Sequence, residues 1–220
     1  MPNAKRLIGA VLIGMVPLLT GCVPAVLVTG AVAGALSAHD RRSTGVQADD
    51  EVSEWKGSNR LPVQYANAAH VNFTAFNRIL LVTGEVPDEE ARHRIGEIAA
   101  KVEGIRQVHN ELVVARVSSL SSRSNDAFIS SMFKARLFDS SRVSANHIKP
   151  LTENGVLFLM GLVNENEARA AVTIARTTDG VREVVNVMEV IPETESRRID
   201  AMLLGSARQP APVTAPVKSR

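Results

Sequence analysis

The sequence predicts an α+β fold built from two similar modules in tandem. Three observations lead to this prediction: an internal repeat, β-type runs joined by turn residues, and helical periodicity after each pair of runs. The 220 residues are 45% hydrophobic and 22% charged, which is typical of a globular chain. We expect each module to follow the order α-β-β-α-β, with a mixed three-stranded sheet covered by two helices.

The internal repeat carries this prediction. Residues 77–86 align with residues 154–163, and each stretch starts with an asparagine and continues through an apolar run into a glycine. Farther along, Gly104 corresponds to Gly180 and Arg106 to Arg182. Two copies of one module are therefore present.

The elements of the first module follow from its local patterns. Residues 70–74 and 79–83 are β-rich runs separated by Asn77, which indicates a hairpin. Acidic residues at 88–90 mark the start of a helix, whose apolar residues recur at helical spacing until Gly104. Beyond Gly104, residues 108–114 are the predicted closing strand. The helix that should open this module, within residues 51–65, is expected to be short or broken by Gly57 and Pro62.

The second module repeats the pattern with stronger signals. Asn154-Gly155 is a turn dipeptide in front of the run 156–160, and residues 184–191 form the closing strand. An opening helix capped by Ser124 or Asn125 precedes this hairpin.

The N-terminus resembles a bacterial lipoprotein signal. Lys5-Arg6 precedes an apolar run at 7–16, and Leu19-Thr20-Gly21-Cys22 follows. In signals of this kind the cysteine is acylated and the chain is cleaved before it, so Cys22 is the predicted lipidation site. A plain signal peptide or a membrane span remains an alternative, although Gly14 and Pro17 break the run. The residue after the cysteine is Val23 and not the aspartate that resembles an inner-membrane retention signal, which favours the outer membrane.

Charge and cysteine content exclude several classes of function. Apart from Lys5 and Arg6, basic and acidic residues balance, which argues against nucleic-acid binding. One cysteine permits neither an internal disulfide framework nor a Cys-rich zinc site. His70 and His147 occupy equivalent repeat positions, which favours a structural role. With no phosphate loop or nucleophile motif, we expect no enzyme activity, no metal and no cofactor.

The strand-Gly-Xaa-Val turn and the later Gly-Ile/Val-Arg-Xaa-Val-Xaa-Asn stretch are similar to the BON domain of bacterial envelope proteins. Together with the lipobox, residues 42–50 and Ser124-Asn125-Asp126, they resemble a dual-BON lipoprotein over residues 1–191. The resemblance implies an outer-membrane protein that faces the periplasm, binds anionic phospholipid of the inner leaflet and supports envelope integrity.

The second opening helix, near residues 126–138, is the candidate binding surface. Its apolar residues surround most of the helix, whereas covering one sheet requires only one stripe. Ile129, Phe133 and Leu137 form a stripe suited to the sheet, and Phe128 and Met132 lie on a second one. Residues 123–150 contain five basic and two acidic residues, which suits an anionic lipid surface. The residues predicted to bind lipid are Phe128, Met132, Phe133, Lys134, Arg136 and Phe138. The alternative is that the second stripe packs on the first module.

The predicted boundaries are a signal peptide at 1–21, a lipidated apolar segment at 22–45, the first module at 46–117, a Ser-rich linker at 118–123, the second module at 124–191 and a Pro-rich disordered tail at 192–220. The alternative function is a periplasmic scaffold that binds an envelope-assembly or peptidoglycan-remodelling protein.

Overall fold

The computed structural model describes residues 40–65 and 68–207. The first module contains two helices and three strands: α1 (Thr44–Asn59), β1 (His70–Phe76), β2 (Ile79–Val86), α2 (Glu89–Ala100) and β3 (Gln107–Val114). A 3₁₀ turn, Val63–Tyr65, connects α1 to the hairpin.

The second module repeats this order: α3 (Leu120–Phe138), β4 (Ile148–Glu153), β5 (Val156–Val163), α4 (Glu165–Arg176), β6 (Glu183–Asn186) and β7 (Glu189–Val190). A 3₁₀ turn, Ala145–His147, precedes β4, and a further helix, α5 (Glu193–Ala207), follows β7.

Each sheet is mixed, as predicted. The strand β1 pairs antiparallel with β2, and β2 pairs parallel with β3. In the second module β4 pairs antiparallel with β5, and both β6 and β7 pair parallel with β5. The predicted closing strand is thus divided at Val187 and Met188, where the Asn186 side chain accepts a hydrogen bond from the Met188 amide at 3.0 Å. The predicted order α-β-β-α-β is confirmed twice.

A buried aspartate on each opening helix holds the turn of its own hairpin. Asp50 of α1 accepts hydrogen bonds from the amides of Asn77 and Arg78, at 2.7 and 2.8 Å. These two turn residues have positive φ angles of 50° and 64°, which non-glycine residues adopt at a cost. Because the carboxylate satisfies both turn amides, it stabilises the strained turn.

Asp126 of α3 does the same in the second module. It accepts from the amides of Asn154 and Gly155 at 2.9 and 2.8 Å. The repeat therefore extends to a helix-to-turn contact that the sequence patterns did not predict.

The two sheets pack against each other through the faces that their helices leave open. On β2, Leu80 and Val82 join the core under the helices, whereas Ile79 and Leu81 point the other way. The latter two belong to one cluster with Phe158, Met160 and Leu162 of β5. Because side chains alternate along a strand, β2 and β5 are buried on both faces and the modules share a central core.

The expectation of a degenerate first helix is wrong. The helix α1 begins upstream, at Thr44, where Ser43 accepts a hydrogen bond from the Val46 amide, and it ends before Pro62. Gly57 lies inside it and is buried because the Phe73 ring packs there: a Cβ on Gly57 would lie 2.6 Å from that ring. The absence of a side chain at Gly57 therefore allows the Phe73 ring to pack against α1.

Two predicted boundaries also need correction. The Ser-rich linker is mostly helical, since Ser119 caps α3 and the helix starts at Leu120. The first part of the predicted disordered tail is the helix α5, whose Ile199 packs against the cluster between the sheets. The proposed lipidation site Cys22 and the tail beyond Ala207 lie outside the described residues.

Among the helices of the described ranges, none combines the length and apolar content needed to cross a membrane.

Candidate functional site

The buried side of α3 covers the second sheet. Ile129, Phe133 and Leu137 are at most 1% exposed, as expected for the stripe that faces the strands. Phe133 fills the core together with Leu157 and Leu159. Its predicted contact with lipid is therefore wrong, because the ring has no access to the surface.

The opposite side of α3 is exposed and uncharged. Leu120, Phe128 and Phe138 are 75%, 60% and 63% exposed. At 100° per residue they fall on one arc of about 100°, together with small residues that are also exposed. We call this surface the α3 outer face: Leu120, Ser124, Ala127, Phe128, Ser131, Ala135 and Phe138.

The α3 outer face is long as well as apolar. Leu120 and Phe138 are separated by about 27 Å along the helix axis, at 1.5 Å per residue. Arg136 is the one charged side chain among the exposed residues of this helix. Met132 is half-buried beside the face. The face thus presents bulky apolar groups separated by small side chains, which permits close approach of a flat apolar layer.

Lys134 does not belong to this surface. Its ammonium donates hydrogen bonds to the backbone carbonyls of Ala145 and Ile148, the latter at 2.7 Å. Burial lowers the pKa of Lys134. The side chain therefore fixes the 3₁₀ turn before β4, and the prediction that it contacts lipid is wrong.

Arg136 is exposed but also has a structural role. It donates to the carbonyl of Ile174 at 3.1 Å and to the hydroxyls of Thr177 and Thr178 at 2.9 Å. It therefore satisfies acceptors at the C-terminal end of α4, where cations are favoured.

Arg142 supplies a second cation near the end of α3. Its side chain is exposed, and with Arg136 it borders a cleft between α3 and α4. Lys149, which the sequence count included among the local cations, is instead paired with Glu54 of the first module at 2.7 Å. The structure thus places fewer available cations beside the α3 outer face than the sequence suggested.

The opening helix of the first module has a different exposed surface. Val52 and Trp55 are exposed on α1, the tryptophan by 68%. The exposed residues Asp49 and Glu51 lie on the same helix. Asp49 is paired with Arg78 at 3.3 Å, so charges of both signs surround these apolar groups, and the surface differs from the uncharged α3 outer face.

No group of three or more His, Cys, Asp or Glu side chains within residues 40–65 and 68–207 is arranged to hold a metal ion.

Comparison with known proteins identifies the modules. Residues 58–116 and 125–192 match the BON domain. Over 184 residues the chain is 36% identical to the outer membrane lipoprotein DolP of Haemophilus influenzae, covering 83% of this chain and 95% of that protein. It is also 33% identical over 154 residues to the 21 kDa hemolysin of Actinobacillus pleuropneumoniae, covering 69% and 79% of the two chains.

A shorter similarity extends to the osmotically-inducible protein Y of Escherichia coli K12, with 30% identity over 112 residues that cover 50% and 56% of the two chains. Two matching domains and the similarity over most of the chain confirm the predicted resemblance: the chain belongs to the BON-domain family.

Proposed function

We propose that this chain is a lipid-anchored outer-membrane protein that faces the periplasm, binds anionic phospholipid through the α3 outer face and supports envelope integrity. The observation that carries the proposal is the exposed, uncharged surface of α3, with Phe128 and Phe138 about 15 Å apart along the helix axis. On this proposal the chain acts as a binding protein and not as an enzyme.

Leaving these large apolar groups in water is unfavourable. Burying one large apolar side chain contributes roughly 1.5–3 kcal/mol, and an amphipathic surface gains this energy when it enters the boundary between headgroups and acyl chains. Leu120, Phe128 and Phe138 can do so together because they lie on one arc. Arg136 and Arg142, both exposed near the C-terminal end of α3, then favour anionic headgroups.

The proposed location has separate support. A relative that covers most of the chain is named an outer membrane lipoprotein. The sequence Leu19-Thr20-Gly21-Cys22 resembles the signal that leads to such an anchor. An anchor at Cys22 would hold the protein at the membrane, so that α3 needs only modest affinity of its own.

The test compares one substitution on each opening helix. Phe128→Glu places a charge on the α3 outer face, and we expect it to abolish co-flotation with vesicles that contain phosphatidylglycerol. Trp55→Glu introduces the same charge on α1 and is expected to leave flotation unchanged. Because both positions are exposed, neither change should alter the thermal unfolding midpoint strongly.

Normal flotation of a folded Phe128→Glu protein would contradict the proposal. So would an equal loss in Trp55→Glu.

The alternative is a scaffold that binds a protein of the envelope. The exposed Trp55 and Val52 on α1 favour it, since they form an apolar surface bordered by charges of both signs, which suits a protein partner. If this function is correct, Trp55→Glu and not Phe128→Glu should make cells sensitive to a large antibiotic that an intact outer membrane excludes.

A further inference from the structure

A cleft of about 270 Å³ lies at the junction of the modules, beside the first half of α3. Its walls come from β1, α3 and β4, and its polar lining residues include His70, Asn72, Arg123, Ser130, Thr152 and Glu153. It is separate from the cleft between α3 and α4, and neither the repeat nor the α3 outer face explains its polar groups.

The acidic groups of this cleft are already engaged. Glu153 accepts hydrogen bonds from the Asn72 amide and, at 3.3 Å, from the Thr83 hydroxyl. Burial raises the pKa of Glu153, which favours its neutral form. Asp126 also borders the cleft, but both of its oxygens accept from the turn amides of Asn154 and Gly155.

The basic group of the cleft is not similarly engaged. The Nε of Arg123 is buried and has no acceptor among the described residues. Its Nη1 lies 3.5 Å from Nδ1 of His70, at the outer limit of hydrogen-bond distance. A buried guanidinium N–H without an acceptor is unfavourable. The guanidinium that borders the cleft therefore has hydrogen-bonding capacity that the described residues do not use.

A hydroxyl pair offers a second donor. Ser130 Oγ and Thr152 Oγ1 lie 2.8 Å apart, and one of the two hydroxyl protons forms the bond between them. The proton of the other hydroxyl remains available for a ligand. The cleft therefore combines a charged donor and a neutral donor, an arrangement suited to the oxygens of a phosphate.

We propose that this cleft binds the phosphate of a glycerophospholipid headgroup, with Arg123 as the anchor and the Ser130–Thr152 pair as the second donor. The inference rests on the proposed function, because Ala127 lines the cleft and also belongs to the α3 outer face. A lipid whose chains contact Phe128 can thus place its phosphate beside Arg123.

The experiment is an amide-detected NMR titration of the full chain with two soluble probes, glycerophosphoglycerol and inorganic phosphate. We expect glycerophosphoglycerol to shift the signals of His70, Arg123 and Ser130. Arg123→Gln should weaken the binding of glycerophosphoglycerol about tenfold, the effect of losing one charge-assisted hydrogen bond. Arg94→Gln removes an exposed arginine of α2 that faces Glu97 and should bind as the unchanged protein does.

The two probes separate the possible sources of the phosphate. Shifts with both probes support a headgroup site, whereas shifts with inorganic phosphate alone would overturn the headgroup assignment. Ser130→Ala provides a second variant if Arg123→Gln does not fold, and its affinity for glycerophosphoglycerol should fall too. Absence of shifts in the cleft, or equal affinity in folded Arg123→Gln, would overturn the inference.

Failure of this inference and failure of the proposed function are distinguishable. If vesicles bind through Phe128 but glycerophosphoglycerol does not perturb the cleft, only the phosphate site is wrong. If the probe binds at Arg123 while Phe128→Glu floats normally with vesicles, the phosphate site stands and the α3 outer face is not the membrane contact.

Discussion

Arg41 is 2% exposed in its side chain and uses every N–H group of its guanidinium. It donates twice to Asp200 of α5, at 2.8 and 2.7 Å, and twice to Glu167 of α4, at 2.6 and 2.9 Å. The remaining N–H donates to the carbonyl of Leu162 at 3.1 Å. Residue 41, just before α1, is therefore fixed to the second module and to α5.

Loss of this arginine should destabilise the protein strongly. Arg41→Met would leave two carboxylates without their cation, and breaking one side of a buried ion pair costs about 3 kcal/mol or more. The control is Arg197→Met, which removes an exposed pair with Glu193 and should have little effect. Urea unfolding of the two variants measures the difference, and equal midpoints would contradict the structural role of Arg41.

Glu167 makes stability depend on pH in the acidic range. Burial favours its neutral form, but nearby His147 and Arg41 outweigh burial and lower the pKa of Glu167 from 4.5 to about 2. Because the folded pKa is the lower one, the stabilisation is complete above pH 4.5 and is lost as pH falls toward 2. In Glu167→Gln, the free energy of unfolding should fall less steeply over this range. An unchanged slope in acid titration of unfolding would contradict the assignment.

Among single residues, the sequence pattern predicted lipid contact for Phe128 and Phe138, which are exposed, but also for Phe133 and Lys134, which are not available. Phe133 lies on the side of α3 that faces the sheet, as predicted. A side chain on that side cannot also contact lipid. The acceptors of Lys134 are carbonyls near the turn before β4, and their direction depends on the folded backbone rather than on any spacing in the sequence.

Among the helices, α1 and α3 fill the equivalent position of their cores with an aromatic ring from different elements. When Asp50 is aligned with Asp126, Gly57 of α1 falls opposite Phe133 of α3. In α3 the helix itself contributes the aromatic ring to the core. In α1 the ring comes from Phe73 of β1 and lies against the glycine. Helix propensity alone therefore predicted a broken helix where packing stabilises a continuous one.

Gly57→Ala tests this interpretation. Overpacking against Phe73 should cost about 1–3 kcal/mol, which exceeds the helix-propensity gain of about 1 kcal/mol at most. Gly45→Ala, in the first turn of the same helix, has its nearest contact at 3.9 Å and should be neutral or stabilising. Thermal unfolding measures both, and a higher midpoint in Gly57→Ala would show that the Phe73 contact does not limit this site.

For the whole molecule, the central core makes the modules dependent on each other. The repeat predicted two modules, and the continuous apolar runs of β2 and β5 are typical of strands buried on both faces. Which surface covers the second face could not be predicted, because an apolar run does not identify its partner. The structure places the two sheets face to face through Leu81, Phe158 and Met160.

Leu81→Ala should therefore weaken both modules at once. Removing a fully buried leucine costs about 2–5 kcal/mol. If the central core is shared, hydrogen exchange should accelerate in β5 as well as in β2, whereas Val113→Ala at an exposed position should affect neither. Acceleration confined to the first module would indicate that the two modules unfold independently.

Contact of α3, and not of α1, with anionic phospholipid can be measured directly because Trp55 is the single tryptophan. The unchanged protein reports on α1, and the double variant Trp55→Phe, Phe128→Trp reports on the α3 outer face. With phosphatidylglycerol vesicles, we predict a blue shift of emission and quenching by brominated acyl chains only for the tryptophan at position 128. A shift and quenching at position 55, with none at position 128, would contradict the assignment of α3 as the membrane contact.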